Sequence, residues 1–446
     1  MKIDHDTTAP AFSDEALALR FAEQHADNLK YVSQIGRWYY WDGKRWQRDQ
    51  RLLGFNNARK ICRAAAAECN HTEHRLRAIA SAKTVAAVEK LARSDHRLAA
   101  TIDQWDLDPW LLNTPDGVVD LRNQKLGPHD PEDYMTKMTA VGPDASCQIP
   151  LWKAFLKRVT AGNYELEDYL QRVLGYVLTG HTHEEQLWFF YGVGANGKTV
   201  LLETISRVMG DYAVASPIET FTASDIDRHP TELARLCGAR LVTATETEEG
   251  RRWAESRIKQ LTGGDPVPAR FMRQDFFTYM PQFKLIASGN HKPRLRSVDE
   301  ANKRRFNMIL FGVVIPVHER DRHSIKKLRR EWPGILAWMI EGCAKWQKHG
   351  LNPPKVVTAE TGKYFEQEDV FSAWLEEECE RGPDAWASRA ELYESWSWWA
   401  YKAKEQAGTR PEFTQKLEDR GFEVKLLHGI HGVKGLKIRP GRTGRV

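Results

Sequence analysis

Leu187-Trp-Phe-Phe-Tyr191-Gly192-Val193-Gly194-Ala195-Asn196-Gly197-Lys198-Thr199-Val200 decides how this chain is read. Leu187 to Tyr191 is a short apolar run suited to a buried strand, and after the loop Leu201, Leu202, Ile205, Val208 and Met209 recur at helical spacing until Gly210 ends the helix. Between strand and helix stands the pattern G-x-x-x-x-G-K-T. Gly192, Gly194 and Gly197 let the backbone turn tightly, so that its N–H groups can face phosphate oxygens where the helix N-terminus adds positive potential. The expected nucleotide contacts are therefore Gly192, Gly194, Ala195, Asn196, Gly197, Lys198, Thr199 and Val200. Lys198 would neutralise the β- and γ-phosphates of ATP, and Thr199 would bind Mg²⁺.

Such a site needs an acid at the end of a neighbouring strand. Downstream, Arg240-Leu-Val-Thr-Ala-Thr245 is β-prone and runs into Glu246-Thr-Glu248-Glu249. Glu246 is the first choice as metal ligand, and Glu248 or Glu249 as the base that orients and deprotonates the attacking water. A third strand, Phe283-Lys-Leu-Ile-Ala-Ser-Gly289, ends at Asn290, whose amide can reach a γ-phosphate or that water. Strand, loop, helix, strand in this order over about 186–316 reads as a three-layer α/β ATPase.

The 446 residues exceed what one core organises, which predicts two or three domains. With 41% hydrophobic and 28% charged residues the composition is that of an ordinary globular protein. A net charge of +5 permits nucleic-acid contact without demanding it. Six scattered cysteines, with no C-x-x-C pair, read as reduced thiols. The start Met1-Lys-Ile-Asp-His-Asp lacks the apolar core of a signal peptide, and no run approaches a membrane span, so a cytoplasmic protein is expected.

Outward from the motor, Asp14 to Glu23 shows helical spacing, Tyr31 to Trp46 carries an Asp42-Gly43 turn between aromatic strands, and Asn56 to about Ala100 is a long alanine-rich helical stretch. Another hairpin is expected at Trp110–Leu121, and helices at Leu151–Thr160 and Leu166–Leu178. Pro353-Pro354 marks a loop after a helical stretch ending near Gly350. In the tail, Arg389–Trp396 and Glu412–Asp419 are helical, and Phe422 to Pro440 resembles two strands flanking a glycine-rich wing, a winged-helix pattern. The organisation predicted is a mainly helical domain over 1–182, an α/β P-loop ATPase over 183–350, a linker over 351–369 and a small winged-helix-like domain over 370–446.

Beyond the loop itself, Glu246-Thr-Glu-Glu-Gly250, Ile258-Lys259-Gln-Leu-Thr262-Gly-Gly-Asp265, Ala269-Arg270, Asn290-His-Lys-Pro293, Asp299-Glu-Ala-Asn-Lys-Arg304-Arg305 and Pro333-Gly-Ile-Leu-Ala-Trp338 follow one another within about 160 residues. This order resembles the superfamily 3 helicases of viruses, phages and plasmids, and within them the phage/plasmid primase-helicase family, whose C-terminal half is similar to poxvirus primase-helicases. The stretches Leu112–Leu121 and Leu174–Gly180 are similar to the helical domain that precedes the motor in that family.

The resemblance implies an AAA+-type motor that forms a homohexameric ring and translocates 3′ to 5′ on single-stranded DNA, unwinding forked DNA in a bacterial, phage or mobile-element host. Arg304 and Arg305 stand where the family places the arginine finger that reaches a neighbour's γ-phosphate. The segment from Thr262 to Phe277 would carry a central-channel hairpin, with Lys259, Arg270 and Arg273 as DNA contacts. Only about 180 residues precede the motor and no paired metal-binding carboxylates are seen, so primase activity is not expected and a separate primase would be a partner. The alternative is an ATP-regulated initiator that recognises or melts an origin without processive unwinding.

Overall fold

The computed structural model describes residues 9–70, 72–223, 231–245, 250–272, 276–296, 298–403, 405–427 and 429–439. The chain opens with α1 (Asp14–His25), started by Ser13, whose hydroxyl accepts the Ala16 N–H at 3.1 Å. Strands β1 (Leu29–Val32), β2 (Arg37–Trp41) and β3 (Trp46–Arg48) follow as an antiparallel meander. The Asp42 carboxylate accepts the N–H groups of Lys44 and Arg45, which closes the expected turn. The alanine-rich stretch expected to be helical is broken into three helices: α2 (Leu53–Glu68), α3 (Glu73–Ile79) and α4 (Ala82–Ala92). Ser81 caps α4 by accepting the Thr84 N–H, so a local side-chain bond wins over uniform helix propensity. β4 (Ala99–Ala100) pairs parallel with β1, and Phe21, Trp38, Ala58, Cys62, Val88 and Leu98 form a core between helices and sheet.

A second meander, β5 (Leu111–Thr114), β6 (Gly117–Asp120) and β7 (Lys125–Gly127), includes the predicted hairpin. Then come α5 (Pro150–Val159) and α6 (Tyr164–Val177), β8 (Leu187–Tyr191), α7 (Lys198–Met209), β9 (Ala213–Pro217), α8 (Thr231–Ala234), β10 (Leu241–Thr245), α9 (Glu255–Thr262), β11 (Val267–Ala269), β12 (Phe277–Tyr279), β13 (Lys284–Gly289), α10 (Glu300–Lys303), β14 (Phe306–Leu310), α11 (Ser324–Leu328) and α12 (Trp332–His349). The five-stranded sheet has the order β14-β8-β13-β10-β9 and is parallel throughout. All residues of β8 and β13 are buried, as strands covered on both faces require. Helix α6 lies so close to α12 that a Cβ on Gly175 would stand 2.0 Å from the Cys343 nitrogen. A single apolar core runs from Leu112 through Trp152, Leu170, Trp188, Ile205, Ile286 and Leu336 to Val357.

The chain divides into two compact units, residues 1–296 with 300–361, and residues 362–446 with 297–299. The boundary falls inside α13 (Lys355–Glu368), which occupies most of the stretch expected as a linker. The second unit contains α14 (Val370–Glu378), β15 (Cys379–Ser388), α15 (Arg389–Lys402), α16 (Arg410–Glu418), β16 (Val424–Leu427) and β17 (Ile430–Ile438) in a sheet ordered β15-β17-β16. Gly435 lies within β17, as expected of the second strand, but so does Gly432, which falls in the stretch expected as a wing between two strands. The reason at Gly432 is packing: a Cβ there would stand 2.4 Å from the Trp386 ring on the facing strand.

Candidate functional site

Tyr191 ends β8, and the chain then turns away from the sheet through Gly192, at φ 144°. No other residue fits there, since a Cβ would lie 2.3 Å from the Phe311 carbonyl oxygen. Asn196 is buried and donates its amide to that same carbonyl at 3.0 Å, while the Ala195 carbonyl accepts the Ile315 N–H at 2.8 Å. From the other side α5 closes on the loop: a Cβ on Gly197 would be 2.5 Å from Val159. The loop is thus held from behind by the chain following β14 and by α5.

Its front is unspent. Helix α7 starts at Lys198 with no side chain capping it, and the N–H groups of Gly194, Ala195, Gly197, Thr199 and Val200 find no acceptor among the described residues. No atom stands within 4 Å of a Cβ built on Gly194. Lys198 is 7% exposed, and its ammonium donates to the Gly192 carbonyl at 2.8 Å and to Asn290 Oδ1 at 3.4 Å. Burial lowers its pKa from the ordinary lysine value. Free backbone donors, a helix N-terminus and a desolvated cation with no carboxylate partner among the described residues are the chemistry of a polyphosphate cradle, so the residues present fit a nucleoside triphosphate.

The sheet order explains the Asn290 contact. β13 lies between β8 and β10, with Gly289 beside Tyr191 and Ser288 beside Thr245, so the ends of all three strands share one edge. Thr199 is exposed beside the loop. Glu246, Glu248 and Glu249 follow directly on the end of β10 and lie outside the described residues, as does Arg273. Among the described residues no group of three His, Cys, Asp or Glu side chains could hold a metal.

The structure adds contacts that no local sequence signal marks. The Tyr191 hydroxyl bonds to Glu360 of α13, Thr361 accepts the Met308 N–H of edge strand β14 at 3.0 Å, and the Lys292 ammonium lies 4.2 Å from the centre of the Tyr191 ring. Burial and Glu360 push the Tyr191 pKa up, so its hydroxyl stays protonated and can donate.

Arg304 and Arg305 part company. Arg305 is 5% exposed and donates to Glu185 Oε2 and to the Ala301 carbonyl, each at 2.8 Å. Arg304 reaches the same carboxylate at 3.0 Å from a side chain that is 63% exposed. The expected hairpin is present: β11 and β12 pair antiparallel, with Val267 opposite Tyr279 and Ala269 opposite Phe277. Arg270 lies over the Phe276 ring at 4.8 Å, and Met272 and Phe276 stand exposed near the turn. Lys259 belongs to α9, one segment earlier.

Residues 18–161 match the family model described as D5 N terminal like, and residues 190–305 match a family described only as of unknown function. A protein of Acanthamoeba polyphaga mimivirus whose name proposes a helicase is 28% identical over 241 residues, which is 50% of this chain and 25% of that protein. A Frog virus 3 protein whose name also proposes a helicase is 27% identical over 354 residues, 73% of this chain and 33% of that one. This chain therefore spans a quarter to a third of the length of those relatives. Two solved structures of the NrS-1 C-terminal region superpose with TM-scores of 0.52 and 0.51, each covering 95% of this chain and 99% of theirs at 9% identity, a likeness of fold. A D5-like N-terminal part, viral relatives of this kind and this mixed α/β fold around a parallel sheet together support a primase-helicase-like protein.

Proposed function

We propose that this chain is an ATP-dependent replicative DNA helicase, an AAA+-type P-loop motor that works as a homohexameric ring on single-stranded DNA and opens forked duplex, 3′ to 5′ by family resemblance. The observation that carries the reading is Lys198, a buried ammonium held by a carbonyl and by Asn290 at the open front of an uncapped helix N-terminus. In this reading Lys198 and the free N–H groups from Gly194 to Val200 hold the triphosphate. Asn290 orients the γ-phosphate or the attacking water, and Glu248 or Glu249 takes that water's proton as the β–γ phosphoanhydride bond breaks to give ADP and phosphate. Thr199 and Glu246 would hold Mg²⁺, which when bound neutralises charge on the phosphates. Arg304, the exposed member of its pair, reaches a neighbouring subunit's nucleotide, while Arg305 holds the local structure. Arg270, Arg273 and Lys259 contact the threaded strand, with Phe276 available to stack on a base.

The second unit is read as winged-helix-like. Residues 362–446 carry fourteen Lys and Arg against fifteen Asp and Glu, a balance that argues against origin capture there and so against the initiator reading. The test is unwinding of forks of each polarity with ATP and Mg²⁺, beside Lys198→Ala. Strand separation by the natural protein and none by the variant is expected; intact ATPase with no unwinding on either fork refutes the helicase reading.

A further inference from the structure

We infer that the outer face of α2 is a docking surface for the phosphate backbone of duplex DNA, a contact separate from the motor's hairpin. The whole chain has a formal charge of +5, and the short stretch 53–97 alone carries nine Lys and Arg against four Asp and Glu. Each of those four acids is already spent. Glu68 pairs with Arg20 at 2.7 Å, Glu73 with Arg77 at 2.5 Å, Glu89 with Arg93 at 2.7 Å and Asp95 with Arg97 at 2.7 Å. Arg59, Lys60, Arg63, Arg75, Lys83 and Lys90 are left with no carboxylate partner among the described residues.

Three of these cations share one face. Helix α2 buries Gly54, Ala58, Ile61, Cys62 and Ala65, which turns Arg59, Lys60 and Arg63 to the opposite, exposed side. Arg59 and Arg63 stand one turn apart, about 6 Å along the axis. Ala64 and Ala67 beside them are small and exposed, which leaves the C-terminal half of this face open to a duplex. Single strands are bound by stacking bases on exposed aromatic rings. Most aromatics of this region are turned to packing instead: Trp38 and Trp46 are buried, Tyr39 stacks on Trp105 at 4.9 Å, and α2 itself carries a single ring, Phe55, 37% exposed one turn before Arg59. Three cations with one ring, too few for successive bases to stack on, fit a backbone whose bases are already paired, bound without sequence preference.

The choice of DNA as the polymer rests on the proposed helicase function, and the test separates the two. Binding of the full chain to a fluorescent blunt 30-base-pair duplex is followed by anisotropy across a KCl series, for the natural protein, R59A/K60A/R63A and the charge-keeping R59K/R63K. The triple alanine variant is expected to lose at least tenfold in duplex affinity near 0.1 M salt and to flatten the slope of log K against log salt by about 2.7, from three phosphate contacts at about 0.9 each. R59K/R63K should bind as the natural protein does. ATPase, single-strand affinity and thermal stability should not move, because the three side chains are solvated and far in sequence from the loop. A triple variant with natural stability and unchanged duplex affinity overturns the inference, and so does an equal loss on single strands. Duplex binding that depends on α2 in a protein without ATPase would leave it standing and sink the motor instead.

Discussion

Replacing Arg304 and Arg305 by alanine one at a time separates architecture from chemistry at two adjacent positions. Arg305 donates two bonds of 2.8 Å from a site that is 5% exposed. Each charge-assisted bond contributes about 1.5–3 kcal/mol, but Glu185 keeps Arg304 at 3.0 Å and is itself a third exposed, so part of the loss is recovered. The expected cost of Arg305→Ala is about 2–3 kcal/mol, a fall of about 3–4 °C in melting temperature for a unit of this size. Arg304, 63% exposed, makes the kind of ion pair that contributes about 0–1 kcal/mol, so Arg304→Ala should melt within about 2 °C of the natural protein. Its ATPase should nevertheless fall by about a thousandfold, because the missing charge acts on the next subunit's nucleotide. Calorimetry and steady-state ATPase on rings checked for assembly give both numbers. An Arg304→Ala ring that hydrolyses ATP within threefold of the natural rate refutes the assignment, and an Arg305→Ala protein that melts normally refutes the structural half.

Other substitutions test the site and its frame. Lys198→Met should abolish nucleotide binding without lowering nucleotide-free stability, since it removes a buried cation whose partners among the described residues are neutral oxygens. Because burial lowers the folded pKa of Lys198 below its ordinary 10.5, the natural protein should gain stability as pH rises from that lowered value towards about 10.5, a gain that Lys198→Met lacks in pH-dependent melting. His181 is held down to about 4, first by burial and then by His183, Lys284 and Arg240. Its contribution is complete above about 6.5 and is lost as pH falls towards about 4, so the acid limb of a melting-temperature profile should flatten in His181→Phe. Gly175→Ala forces α6 from α12, where a Cβ would meet Cys343 backbone at 2.0 Å; urea unfolding should show a loss near the upper end of about 1–3 kcal/mol. Gly342→Ala, whose Cβ would meet the Gln171 carbonyl at 2.1 Å, should add less than its own cost in the double variant, since both part the same helices.

The strand, loop and helix around Gly192–Gly197 were legible because their signals are local: five apolar residues, three glycines and a helical period stand in one window, and the structure keeps them in that order. The position of Asn290 was legible for a related reason, since a polar residue closing an apolar run marks the end of a buried strand, but its bond to Lys198 was not. What holds the loop was not. Phe311 lies 115 residues from the Asn196 amide it accepts, and Glu360 lies 169 residues from Tyr191, so neither leaves a periodic trace. The long helical stretch failed differently. Alanine-rich sequence favours helix almost everywhere, and only the capping bond at Ser81 and the break near Cys69 decide where it stops. Gly432 misled because glycine in a strand and glycine in a loop look alike until the facing residue, Trp386, is known.

Two buried cations account for the most consequential departure, the merging of the N-terminal part and the parallel sheet into one compact unit. Arg240, 1% exposed, precedes β10 and donates to the carbonyls of Leu178 at 2.6 Å and Leu111 at 2.7 Å. Lys284, 2% exposed, opens β13 and donates to the carbonyls of Thr179, His181 and Gln282. Both therefore sit where α6 ends, and satisfy carbonyls that a helix C-terminus leaves open. Losing either would strand several buried acceptors at once, which costs more than any surface pair returns. The ends of β10 and β13 opposite the nucleotide loop are thereby fixed to the chain that precedes them. The residues that respond to a nucleotide in the proposed function, Lys198 and Asn290, stand at the other end of the same sheet, joined by one bond of 3.4 Å that a phosphate oxygen would replace in that reading.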